Sequence, residues 1–334
     1  MKTNIILTDG GLETDIIFNH NIELEHFAAF PLVETDSGRV VLEKYYRDYL
    51  ELSKNNGTGF ILESPTWRAN LDWGKQLGYT EEQLIASNKK AIAFMEELRR
   101  AYKTSNSEIK ISGQLGPRGD GYQVQDVMTN SEAAKYHEMQ VKAFKEAQVD
   151  MVTAITMTYS EEALGIVKAA QLYEVPVVVS FTVEVDGRLP SGENLEDVIT
   201  KLDWVTDNYP LYYMINCAHP THFIHLFETD AIWKNRIQGL RANASCKSHA
   251  ELDEATELDK GNACELGQLH TRLQELLPNL RVFGGCCGTD ISHITEIYSA
   301  LRTSNKSLFT EEGVLVPICE TYIVAAEKAP KCGC

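Results

Sequence analysis

The feature that most limits what this chain can fold into is the alternation of eight short apolar runs with longer amphipathic stretches. The runs fall at 5–8, 59–62, 109–112, 151–155, 177–181, 211–215, 237–241 and 281–283. Each is rich in Val, Ile, Phe or Met, too short for a helix, and continuous rather than strictly alternating. Such runs fit parallel strands covered by helices. Between them, Thr80-Glu81-Glu82-Gln83 and Thr129-Asn130-Ser131-Glu132 have capping-box form. Ser160 is placed to cap a helix over 161–173, and helices are expected at 194–207, 266–277 and 292–303. Repeated strand–helix units imply a parallel sheet, and eight of them favour a closed (β/α)8 TIM barrel of the α/β class. The rival is an open doubly wound sheet, which often carries a Gly-rich phosphate loop after its first strand. Here that strand runs into Asp9-Gly10-Gly11-Leu12-Glu13, which matches neither the dinucleotide fingerprint nor the P-loop. No linker or composition break divides the chain, so one barrel domain over 1–334 is expected, with a flexible tail at 326–334. Residues 120–128 and 244–264 read as excursions.

Charge and composition narrow the function. With 31 Lys and Arg against 48 Asp and Glu, the formal charge is −17, which argues against nucleic acid as a partner. An apolar share of 43% argues against a disordered chain. No run approaches the ~20 apolar residues that cross a bilayer, and the N-terminus reaches Asp9 before a signal-peptide core can form. A cytoplasmic protein without a membrane partner is expected. In that reducing setting its eight cysteines read as buried thiols, metal ligands or catalytic groups rather than a disulfide framework.

Sites on such barrels gather where strands end. Cys217 follows the sixth run, and Cys286 and Cys287 follow the eighth. Strands six and eight of a barrel are next-but-one neighbours, so three thiolates can meet over the mouth, bind Zn²⁺ and leave a fourth position open. Sulfur softness favours Zn²⁺ over Mg²⁺ or Ca²⁺. A single cysteine is usually packing. An adjacent pair is harder to read that way, and Gly284, Gly285 and Gly288 allow the unusual backbone that would aim both sulfurs at one ion.

At these residues the chain resembles the homocysteine S-methyltransferase family. The resemblance rests on Asp9-Gly10-Gly11, on Asn216-Cys217, and on Gly284-Gly285-Cys286-Cys287-Gly288, and it runs from about residue 7 to about residue 300. It implies a (β/α)8 barrel holding Zn²⁺ on Cys217, Cys286 and Cys287, with the amino-acid end of a small thiol near Asp9, Gly10 and Gly11 and with Asn216 shaping the site. The implied reaction moves a methyl group from a small sulfonium or betaine to homocysteine or a related thiol. A free thiol with a pKa of ~8.5 is mostly protonated at neutral pH, and zinc makes it a thiolate. Three protein thiolates leave the site with an excess negative charge that draws a methylated cation. Glu63, Trp67, Trp73, Tyr159 and Phe181 are placed by sequence to meet that cation.

Two stretches depart from the family pattern. The Glu that the family uses for the substrate ammonium is replaced by Ile155; either Glu63 or Glu184 takes over the ammonium, or the acceptor is a thiol other than homocysteine. The segment after strand seven, from Arg241 to Glu254, replaces the usual Pro-Asn-x-Gly. There Asn243 keeps the family Asn, and Arg241, Lys247 and His249 are candidates for a carboxylate at the mouth. His219 could compete as a ligand, but with three thiols available it reads as a helix cap or as a support behind the ligands; the Cys332/Cys334 tail reads as an incidental metal or disulfide site, and Cys246, Cys264 and Cys319 as structural. Two alternatives stay open: a zinc hydrolase or lyase on the same barrel, and a non-catalytic thiol- or zinc-binding homologue.

Overall fold

The computed structural model describes residues 5–105 and 108–307. Eight parallel strands close into a barrel in sequence order. They are β1 (Ile6–Leu7), β2 (Gly59–Glu63), β3 (Ile109–Leu115), β4 (Met151–Met157), β5 (Val177–Phe181), β6 (Tyr213–Asn216), β7 (Ile237–Ala242) and β8 (Val282–Gly285). All eight runs are therefore strands. β3 and β4 continue two or three residues further than expected, and the extension of β4 passes a register irregularity between Ala154 and Met157. The long helices are α1 (Asp36–Asn56), α2 (Glu81–Tyr102), α3 (Asn130–Glu146), α4 (Ser160–Leu172), α5 (Leu195–Thr206), α6 (Ala263–Leu276) and α7 (Ile291–Ser307). Between β6 and β7 the crossover is made of short helical turns instead. Both expected capping boxes form, at Thr80 with Gln83 and at Thr129 with Glu132.

One local reading changes, and one long helix is added to those expected. Ser160 does not cap α4; it is the first helical residue, and its N–H and hydroxyl donate to Glu193 at 2.9 and 2.5 Å. α1 lacks an obvious apolar stripe in the sequence, because its buried face is built largely from Tyr45, Tyr46 and Tyr49 beside Leu42 and Leu50. Its start is set by Thr35, whose hydroxyl accepts from the N–H of Gly38 at 3.1 Å.

The core has two shells. The larger lies between sheet and helices. The smaller fills the lower part of the barrel with Ile61, Met151, Val178, Met214 and Val282, against which Ile6 packs. Side chains two residues apart on a strand share a face. One pleat higher, the same inward positions are Thr8, Glu63, Thr153, Ser180, Asn216 and Gly284. The barrel interior thus turns from apolar to polar at one level, and that level is the floor of the cavity described next. No described helix is long and apolar enough to cross a membrane.

Candidate active site

The polar floor is fully bonded on one side. Asn216 accepts from the Ser180 hydroxyl at 2.6 Å and from the N–H of Thr156 at 3.0 Å, and donates to the Thr156 hydroxyl oxygen at 2.8 Å. These bonds hold two strained strand ends. Thr156 and the next residue after β6, Cys217, both adopt left-handed backbone, with φ of 61° and 54°. Such conformations cost a non-glycine residue about 1 kcal/mol or more and persist only where the surroundings impose them. The Cys217 carbonyl accepts from His249 Nε2 at 2.8 Å, Asn243 Nδ2 at 3.1 Å and the Thr182 hydroxyl at 3.3 Å.

That backbone aims the Cys217 sulfur back at the tip of β8. The sulfurs of Cys217, Cys286 and Cys287 all lie within 4.8 Å of one another. Cys217 and Cys286 form a disulfide across Cα atoms 5.3 Å apart, and Cys287 Sγ is 3.7 Å from Cys217 Sγ. Thiolates at ~2.3 Å from a tetrahedral zinc stand about 3.8 Å apart; the Cys217–Cys287 pair has that separation, and with the disulfide reduced the trio has the donor chemistry for a soft metal ion. Burial pushes the Cys287 thiol up to about 11, with Tyr122 acting the other way. Of the three glycines, only Gly288 has left-handed backbone, with φ of 79°. Gly284 and Gly285 are needed instead for close approach, since a Cβ there would collide with Thr8 and Thr289.

Beside the sulfurs is a buried charged group. Arg241 pairs with Asp9 at 2.9 Å and donates to the carbonyls of Gly10 and Gly285 at 3.1 Å each. The Tyr45 hydroxyl donates to the other Asp9 oxygen at 3.0 Å. Burial raises the Asp9 carboxyl although Arg241 opposes it. Glu63 is 2% exposed, receives the Thr153 hydroxyl at 3.2 Å, and is pushed up to about 7 by burial against the pull of Arg241.

Above this floor opens a cavity of about 280 Å³, reached by the Asp9-Gly10-Gly11 turn, Glu63, Trp67, Ile155 and all three cysteines. Its rim is acidic, with Glu13, Asp120 and Asp253. Burial pushes Glu13 up to about 7. The 120–128 excursion lays Tyr122 over the sulfurs, its hydroxyl 3.5 Å from Cys287 Sγ and 3.8 Å from Cys217 Sγ. Its ring stacks on His249 at 4.1 Å, and His249 pairs with Glu184 at 3.0 Å.

Most of the sequence-predicted residues meet here. Asp9, Gly10, Gly11, Glu63, Trp67, Cys217, Cys286 and Cys287 line the cavity; Asn216 and Asn243 stand behind its wall, holding Cys217. Several other expectations are corrected. Arg241 lies inside the barrel rather than at its mouth, Lys247 pairs with Asp259 at 3.7 Å, and His249 and Glu184 engage each other. Phe181 is in the outer core. Tyr159 accepts from the N–H of Met128 at 3.2 Å. The indole faces of Trp67 and Trp73 are not both open to a cation, because the Arg68 guanidinium sits over them at 4.5 and 3.6 Å. His219 caps the helix Pro220–Phe223 as expected. Cys319, Cys332, Cys334 and the 326–334 tail lie outside the described residues. Sequence reading missed Glu13, Arg68 and Tyr122. Glu13 and Tyr122 follow strand ends at a distance only the loops decide, whereas Arg68 sits next to Trp67 and was within reach.

Residues 6–301 match the model of the homocysteine S-methyltransferase family. A search of curated proteins returns no match. Among solved structures the fold is similar to the homocysteine methyltransferase MmuM from Escherichia coli. Its oxidized form aligns with a TM-score of 0.70 at 19% identity, covering 89% of this chain and 96% of that one. Its metallated form aligns with a TM-score of 0.69 at 20% identity and the same coverage. With the family model spanning the whole barrel, from β1 into α7, the chain belongs to the homocysteine S-methyltransferase family and is a methyltransferase.

Proposed function

We propose that this chain is a zinc-dependent S-methyltransferase acting on homocysteine or a related small thiol, with a small sulfonium or betaine as methyl donor. The observation that carries the reading is the convergence of three sulfurs from two strand ends on one acid-rimmed cavity. Cys217, Cys286 and Cys287 would hold Zn²⁺, which supplies deprotonation of a thiol at neutral pH. The chain's own residues do the remaining work. Asn216, Asn243 and His249 fix the backbone that presents Cys217. Tyr122 covers the sulfurs and limits the access of water. The carboxylates of Asp120 and Asp253 draw a cationic donor toward the same space. Holding donor and acceptor in line for displacement at a methyl carbon removes much of the entropic barrier.

Cys286→Ala is expected to lose both bound zinc, read by elemental analysis, and methyl transfer, read by mass detection of the thioether across a panel of sulfonium and quaternary ammonium donors. A variant that stays active without zinc would overturn the mechanism.

A further inference from the structure

The turn at Asp9 and the end of β4 are where the family resemblance seats the substrate ammonium, and in this chain neither is free to take it. Asp9 is engaged on both oxygens, by Arg241 at 2.9 Å and by Tyr45 at 3.0 Å. The β4 position is Ile155, which presents an apolar wall to the cavity. Among the described residues, the buried cavity atoms without a hydrogen-bond partner include, beside Trp67 Nε1, Arg68 Nε and Nη1, and Asp9 Oδ1, which has only its ion pair with Arg241, an opposite-charge couple, Glu63 Oε2 and Arg241 Nη1. The rest of each group is held. Glu63 Oε1 receives Thr153, while Arg241 Nε and Nη2 bind Gly285, Gly10 and Asp9. Glu63 and Arg241 feel each other's charge but make no direct ion pair among the described residues. A buried charged group with an unmet hydrogen bond is costly unless something completes it.

We propose that an α-amino acid completes this pair, its ammonium on Glu63 Oε2 and its carboxylate on Arg241 Nη1. The inference rests on the methyltransferase reading and names the end of the acceptor that the protein grips. Direction supports it. Arg241 is paired in register with Asn216 on one side and Gly284 on the other, so it stands between the two strands that present the sulfurs. The three cysteines line the same cavity as Glu63 and Arg241, so the side chain of an amino acid held there extends into the space the sulfurs face. Glu63 and Arg241 thereby set specificity: a thiol lacking either charge leaves a buried partner unmatched.

The test uses the thioether product class, which reads the amino-acid end without requiring turnover. Binding to the full chain is measured by calorimetry for L-methionine, for 2-hydroxy-4-(methylthio)butanoate, which lacks the ammonium, and for 3-(methylthio)propylamine, which lacks the carboxylate. Each analogue is expected to bind about ten- to a hundredfold more weakly than methionine. Glu63→Gln is expected to bring methionine and the hydroxy analogue within about threefold of one another. Arg241→Met leaves Asp9 buried and unpaired, so it is made together with Asp9→Asn; that pair is expected to erase the preference over the amine while circular dichroism stays native. Equal binding of all three ligands by the wild type, no methionine binding at millimolar concentration, or an unchanged preference in Glu63→Gln would overturn the inference. Methyl transfer is assayed separately. Thiols methylated without regard to their amino-acid end would sink the inference and leave the methyltransferase reading standing. Discrimination among the ligands with no thiol methylated would do the reverse.

Discussion

Asn216 shows how one residue can matter to a site without lining its cavity. Its side-chain amide uses three hydrogen bonds to tie the ends of β4, β5 and β6 together beneath Cys217. Asn216→Ala strands those partners in a buried setting, where each unmet group costs about 1–3 kcal/mol. The expected outcome is a loss of roughly 3 kcal/mol in urea denaturation, with weaker metal retention because Cys217 is no longer held in left-handed backbone. Asn216 and Cys217 could be picked out in the sequence as neighbours after a strand. Their division of labour could not, because it depends on Thr156 and Ser180, which are 60 and 36 residues away.

Secondary elements differ in how openly the sequence declares them. α2 and α3 announce themselves through capping boxes, and the structure places both boxes as written. α1 hides its buried face in tyrosines, whose hydroxyls serve the floor of the site: Tyr45 donates to Asp9 and Tyr46 to the Glu63 carbonyl. Its N-cap lies far from that floor. Thr35→Ala is therefore expected to lower stability by about 1 kcal/mol in a denaturant titration and to leave methyl transfer unchanged. The extra length of β4 was illegible for a related reason. Its irregularity between Ala154 and Met157 contains Thr156 in left-handed backbone, with no glycine there to announce it in the sequence.

For the molecule as a whole, the barrel collects acids in a region that burial keeps dry. Glu13 faces Asp9, Arg241 and Arg68, and desolvation raises it from 4.5 to about 7. A carboxyl raised in the folded state stabilises the fold fully below its unfolded value, and that contribution is lost as pH rises through about 7. The histidines at 219 and 270 run the opposite way, lowered by burial from 6.5 to about 4, so their contribution is lost as pH falls. Comparing wild type with Glu13→Gln isolates the acid. The variant is expected to gain stability relative to wild type as pH rises from about 5 to about 8, read as a growing difference in denaturation midpoint. A difference that stayed flat across that range would show that Glu13 titrates normally.

The barrel was legible from eight apolar runs because a buried parallel strand needs nothing beyond local composition to declare itself. The sulfur set was legible for a similar reason: three cysteines follow two of those strands directly. What tertiary structure alone decided is the pairing of charges over the floor. Arg241 reads in the sequence as a mouth residue, yet register with β6 and β8 turns it inward onto Asp9, 232 positions earlier in the chain. Ion pairs and orphaned atoms are properties of distance in space, and closing the strands into a ring is what sets those distances.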